Sequence, residues 1–205
     1  MIPTSWKKLS PVIPTGSRVW GSRRYPYQNW TPLGSVSASS SEDEQFLRLA
    51  GEVLAGETEK IVNHWRSEII AGIPHLARHS RTPGGDPIPE YLRKSNLRFQ
   101  QWIVDTCTRP YDLDWLNYQH EIALRHTSLK KNQTDQVNST PYVPLSDIVA
   151  FVSVMNETIK PYLVSKGHSI EVVEKMHLAW CKSMQLQMAL WVRTYMNSSC
   201  TLSEG

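Results

Sequence analysis

Apolar side chains recur at helical spacing from Ser41 to about Tyr195, and no segment alternates as a half-buried strand would. Phe46, Leu49, Ala50, Val53 and Leu54 form a first stripe behind Ser41-Glu-Asp-Glu44, a capping box whose acidic residues suit the positive end of a helix dipole. Ile61, Val62, Trp65 and Ile69 predict a second helix, which Gly72-Ile-Pro74 turns aside. Beyond the loop Thr82-Pro-Gly-Gly-Asp-Pro87, Pro89 fits the first turn of a helix carrying Leu92, Phe99, Trp102, Ile103 and Thr106, stopped by Thr108-Arg-Pro110. Asp112-Leu-Asp114 starts the next, whose Trp115, Ile122 and His126 lie seven and four residues apart and share one face. Pro144 opens a helix with Ile148, Phe151, Val152, Met155, Ile159 and Leu163 on one side, and Pro161, lacking an N–H, is expected to bend it near its end. Gly167 is placed as a C-cap. Ser169 with Glu171 then begins a long closing helix with the stripe Val173, Met176, Trp180, Met184, Gln187, Trp191 and Tyr195. The chain reads as all-α.

The first forty residues break this pattern. Pro3, Pro11, Pro14, Pro26 and Pro32, with Gly16, Gly21 and Gly34, predict extended chain. Trp6, Trp20, Tyr25, Tyr27 and Trp30 are too many aromatics for a freely solvated tail, so part of the segment is expected to lie against the body. The expected division is an extended segment over 1–40, a helical domain over 41–196 and a tail over 197–205.

Composition narrows the function. A length of 205 residues suits one domain with a sizeable core. The net charge of +3 is spread out, with adjacent basic residues such as Lys7-Lys8, Arg23-Arg24 and Lys130-Lys131 far apart along the chain, so no stripe offers itself to nucleic acid. The longest near-apolar run, Ile148 to Met155, is too short to cross a bilayer, and the absence of an apolar leader makes a cytoplasmic location the expectation. His75 and His79 stand four apart but flank Arg78 and Arg81 and lack an acidic co-ligand, so they are not expected to hold a metal. Cys107, Cys181 and Cys200 form no Cys-x-x-Cys pair and have no base beside them in sequence. His126 remains the residue with chemical promise. On spacing alone, a histidine on an apolar face is either a hydrogen-bonded core residue or a ligand.

A longer pattern bears on that choice. The run Arg98-Phe99-Gln-Gln-Trp102-Ile103-Val-Asp105-Thr-Cys107-Thr-Arg109-Pro-Tyr111-Asp112 continues through Trp115, Tyr118 and Leu124-Arg125-His126 to Lys130-Lys131-Asn132-Gln133-Thr134-Asp135. With Ala50-Gly51-Glu52-Val53-Leu54, Lys160-Pro161-Tyr162-Leu163 and Ala189-Leu190-Trp191, it resembles the protoglobins, single-domain haem-binding relatives of the sensor globins. The resemblance runs from about Ser41 to about Tyr195. It implies a globin-like helical sandwich around haem b, with His126 as the axial ligand of iron, Trp65 and Phe99 on the distal side, and Phe151, Met155 and Trp191 in the pocket wall. Arg98, beside Phe99, is expected to reach a haem propionate. With no Cys-x-x-Cys-His in the chain, the haem is expected to be held non-covalently. Its imidazole is expected to be neutral, with the nitrogen away from iron donating to a carbonyl such as that of Ile122.

In the protoglobins an N-terminal segment covers haem edges, a role open to residues 1–40 here. One departure stands out. Where the family usually carries Trp-Tyr, this chain has Trp65-Arg66, and it holds one extra residue between Trp65 and Pro74-His75-Leu76. A part-turn rotation of the second helix then decides whether Arg66 joins Trp65 and Phe99 in the distal pocket or faces solvent. The implied function is reversible binding of a small diatomic gas (oxygen, carbon monoxide or nitric oxide), with a homodimer formed through the last two long helices. Alternatives are a haem enzyme acting on nitric oxide or peroxide, a gas-sensor module working through a partner protein, and a haem-free helical interaction module.

Overall fold

The backbone from Ser41 to Cys200, with side chains as far as Asn197, is described by a computed structural model, and the expectations for residues 1–40 lie outside it. The described elements, all within one unit, Ser39–Gly205, are α1 (Ser41–Leu54), α2 (Thr58–Asn63), a π-helical turn (His64–Ile69), a 3-10 turn (Ile70–Gly72), α3 (Pro74–Ala77), a 3-10 turn (Arg78–Ser80), α4 (Pro89–Thr108), α5 (Leu113–Leu124), α6 (Leu145–Thr158), α7 (Lys160–Leu163) and α8 (Ile170–Cys200). Apart from one bridge between Arg81 and Pro87, regular structure among the described residues is helical, as the periodicity predicts.

α8 is the spine. Its buried Val173, Met176, Trp180, Met184, Gln187 and Trp191 follow the predicted stripe, and α1, α5 and α6 pack along it. Full burial of each large apolar side chain in this seam contributes about 1.5–3 kcal/mol. α1 starts at Ser41 with three acidic residues in its first turn, and Glu42 and Asp43 also reach Lys175 (3.1 Å) and Lys182 (2.8 Å) on α8. α1 crosses α4 at Gly51, where an added Cβ would stand 2.8 Å from the Cβ of Cys107. Such an approach admits no side chain at position 51 without displacing α4.

Three boundaries differ from the sequence reading. Pro161 breaks the helix outright: α6 ends at Thr158 and α7 begins at Lys160 with the proline in its first turn, because the ring removes a bond and crowds the carbonyl four residues back. α5 ends at Leu124 with Arg125 as its C-cap, so His126 stands just beyond the helix. α8 continues through Cys200, past the tail boundary expected at 197. Gly167 fulfils its expected role, with φ +73 ahead of α8.

Candidate functional site

The position of His126 is set by local hydrogen bonds. Asp112 caps α5, its carboxylate accepting from the Trp115 N–H at 2.9 Å. Past Leu124 the chain winds into tight turns: the His126 N–H donates to the Ala123 carbonyl (3.0 Å) and the Thr127 N–H to that of Leu124 (3.0 Å). The His126 carbonyl accepts from the Val143 N–H at 2.8 Å, tying the turn to the chain that enters α6. The imidazole Nδ1 lies 2.8 Å from the Ile122 carbonyl. A carbonyl only accepts, so Nδ1 carries the proton and Nε2 the lone pair. Nε2 has no hydrogen-bond partner among the described residues. Protein surrounds the ring, yet the residue keeps accessible surface, as the wall of an internal cleft does. Burial pushes its pKa down to about 4, with the charges of Lys131, Arg66 and His79 adding to the effect and the Ile122 bond opposing it. At neutral pH it is an uncharged imidazole with a free lone pair.

An aromatic cluster from three elements forms the next part of the site. The ring of Trp65 lies 5.1 Å from that of Phe99 and 6.2 Å from that of Phe151, and Phe99 and Phe151 are 6.4 Å apart. Trp65 is fully buried and donates through Nε1 to the Thr158 hydroxyl at 2.8 Å, which anchors it to the end of α6. Phe99 and Phe151 are only half-buried, as are Leu92 on α4, Ile122 beside His126 and Ile148 on α6. Met155 and Trp191 are buried, and the Trp191 Nε1 donates to Gln119 at 3.0 Å. Trp102, which the sequence reading left in the general core, joins Phe99 (5.5 Å) to Trp191 (6.3 Å) and donates to Gln187 at 2.9 Å. The signal for that pair was Gln187 itself, a polar residue in an apolar stripe, which must find a buried partner.

Arg66 turns inward. Its guanidinium lies over the Phe99 ring, 5.3 Å from the centroid, and Nη2 donates to the Ser95 hydroxyl at 2.6 Å. Nε is sealed without a partner, and no carboxylate pairs with the group among the described residues. The turn that carries it is π-helical, over the stretch in which the extra residue was counted. Bonds from i to i+5 place more residues in a turn, so neighbouring side chains diverge by less than the α-helical 100°. Trp65 and Arg66 can therefore both face the cleft. His64, also in this turn, is held to the Tyr162 hydroxyl at 3.0 Å.

Arg98 does otherwise than expected. Both its terminal nitrogens go to Asp135, at 2.5 and 3.1 Å, in a bidentate pair that fixes the stretch after His126 to α4. The fork expected to meet a propionate is occupied by a carboxylate of the chain itself. Nearby, His79 is buried, with Nδ1 2.7 Å from the Thr140 hydroxyl and Nε2 3.2 Å from Asp147. Lys131 is buried too and donates to the His79 carbonyl at 2.9 Å, a placement nothing in the sequence pattern signalled. No group of three or more metal-ligating side chains occurs among the described residues. Burial raises the pKa of the Cys107 thiol well above its ordinary range, which suppresses the reactive thiolate.

These residues suit a flat apolar group with a metal at its centre. A neutral imidazole offers one unbonded nitrogen, and half-buried aromatic and aliphatic side chains from α4, α6 and the end of α5 leave surface to be covered. Haem has that combination of properties. No described helix is long and apolar enough to cross a membrane. The family model described as Protoglobin matches residues 38–199, and no curated protein matches the chain.

Proposed function

The chain belongs to the protoglobin family of haem-binding globins, and from that premise we propose that it holds a non-covalent haem b on His126 and reversibly binds a small diatomic gas on the opposite face. Haem iron supplies an open coordination position there. The chain's own residues do the rest. His126, held by the Ile122 carbonyl, presents Nε2 to iron. Trp65 and Phe99 bound the distal side, and Phe151, Met155 and Trp191 wall the pocket. The observation that carries this reading is the Nδ1 to Ile122 bond of 2.8 Å, with no partner for Nε2 among the described residues, since a ligating histidine is oriented by the bond its other nitrogen makes. The position beside Trp65 holds Arg66, whose guanidinium is a donor facing the same side as Phe99.

The test is the absorption spectrum of the ferrous protein with and without carbon monoxide, in the wild type and in His126→Ala. Wild type should bind one haem per chain and carbon monoxide reversibly, and the variant should do so only with added imidazole. A variant with an unchanged spectrum and affinity would show that another residue binds iron. Steady turnover of nitric oxide or peroxide with a reductant would favour the enzymatic alternative, which the buried cation of Arg66 supports. A homodimer belongs to the same proposal: Leu178, Ala189 and Met196 are exposed on one face of α8, and Val149 is exposed on α6. Sedimentation of Leu178→Glu against wild type tests it.

A further inference from the structure

A buried guanidinium is strongly unfavourable unless an anion or several acceptors meet it. Arg66 has the Ser95 hydroxyl and the face of Phe99, neither of them charged. The carboxylates around the site are engaged elsewhere: Asp135 by Arg98, Asp147 by His79, Glu121 by Arg125 and Lys130, and Glu90 by Arg93. Of the guanidinium nitrogens, Nη2 is taken by Ser95 and Nε is sealed. Nη1 makes no hydrogen bond among the described residues and is not sealed, so it donates into open space. The charge of Arg66 is felt at His126, so the two groups lie near one another. The π-helical turn on which Arg66 sits is pinned by Trp65 to Thr158 and by His64 to Tyr162.

We propose that Arg66 makes the cleft a binding site for a small monoanion of the nitrite, azide or fluoride class, with Nη1 donating to the anion on the side opposite His126. This rests on the haem reading above, and it adds the chemical class of ligand that the pocket selects. The alternative source of negative charge is a haem propionate. The Arg66 guanidinium lies over Phe99, whose ring packs against Trp65 and Phe151, an apolar setting that suits a small entering anion better than a propionate, which needs solvent at its outer end. A short anion seated there has one charged donor, and its charge is offset by the guanidinium without water.

The experiment is an equilibrium titration of the ferric protein with sodium nitrite and sodium fluoride, followed by absorbance, alongside carbon monoxide titration of the ferrous protein. Wild type, Arg66→Leu and Arg66→Lys are compared. Loss of one charge-assisted hydrogen bond corresponds to roughly ten- to a hundredfold. The ratio of anion to carbon monoxide affinity should fall by that factor in Arg66→Leu and by less in Arg66→Lys, which keeps the charge but not the fork. If Arg66→Leu does not fold, Arg66→Gln carries the comparison. An unchanged ratio overturns the proposal, and an unchanged ratio with faster haem loss assigns Arg66 to a propionate. A wild type that takes up no haem refutes the functional reading and not this one. Calorimetric titration of the haem-free chain with nitrite then decides: binding heat that vanishes in Arg66→Leu supports the site, and no heat in wild type ends it.

Discussion

Asp135→Asn separates a structural role for Arg98 from a haem-binding one. The Asp135 carboxylate accepts from both terminal nitrogens of Arg98, at 2.5 and 3.1 Å, and joins α4, one residue before Phe99, to the stretch that follows His126. Breaking a fully buried pair costs about 3–5 kcal/mol, because one charge is left without a partner. Here the Asp135 side chain is 6% exposed but that of Arg98 is 24% exposed, so water recovers part of the cost; about 2 kcal/mol is the expected loss. For a chain of this size that is a fall in Tm of roughly 4–8 °C. Urea unfolding of haem-free wild type, Asp135→Asn, Arg98→Met and the double variant gives the coupling directly, and it should exceed about 1 kcal/mol. Haem dissociation should also quicken in Asp135→Asn, since the pair restrains the chain next to His126. Coupling below about 0.5 kcal/mol would show that the pair contributes nothing. Slower haem loss in Asp135→Asn would refute the assignment differently, because a released Arg98 would then be binding a propionate.

Three further outcomes follow from the geometry. His126→Gly should lose axial ligation and regain it with millimolar imidazole, read from the ferrous spectrum; recovery without imidazole would point to another ligand. In the haem-free protein, the folded His126 pKa of about 4 lies below its ordinary 6.5, so the unfolded chain binds more protons between those values and stability falls as the pH drops through them. At about 1.4 kcal/mol per pH unit the loss approaches about 3 kcal/mol by pH 4; urea midpoints from pH 7 to pH 4.5 should show this slope in wild type and a shallower one in His126→Gln, and equal slopes would contradict it. Gln187→Leu should destabilise by about 1–3 kcal/mol because the Trp102 N–H loses its acceptor at 2.9 Å inside the core; adding Trp102→Phe should return part of that in thermal melts, and strictly additive losses would count against the bond.

The helices were legible because each buries one stripe. α4 begins at the proline and ends just before Pro110, as expected, and α8 buries the residues at the predicted spacing. Periodicity was less informative where backbone chemistry decides. It carried the stripe of α6 across Pro161, whereas the missing N–H divides the segment. It also put His126 on the helix, while the turns beyond Leu124 are set by backbone bonds that no apolar pattern encodes. The orientation of the imidazole was legible once the resemblance implied a ligating role. A buried neutral histidine needs an acceptor for one nitrogen, and the carbonyl four residues earlier is the nearest one available. The partner of Arg98 was not, because Asp135 is distant in sequence and nothing in its neighbourhood marks it as an inward-facing carboxylate.

The arginine that stands where the resemblance implies a tyrosine and the extra residue counted after Trp65 both bear on one turn, His64–Ile69. Trp65 must keep its bond to Thr158 on α6, and Arg66, to be buried at all, must reach the Ser95 hydroxyl and the face of Phe99 on α4. On an α-helix adjacent side chains diverge by about 100°, and one of the two would leave the cleft. The π-helical turn, His64–Ile69, lessens that divergence. Hydrogen bonding in such a turn is poorer than in an α-helix, so the turn persists because both side chains are held at their ends. The same turn shows what counting residues could not: no loop forms after Trp65, and the turn holds a positive charge over the Phe99 ring.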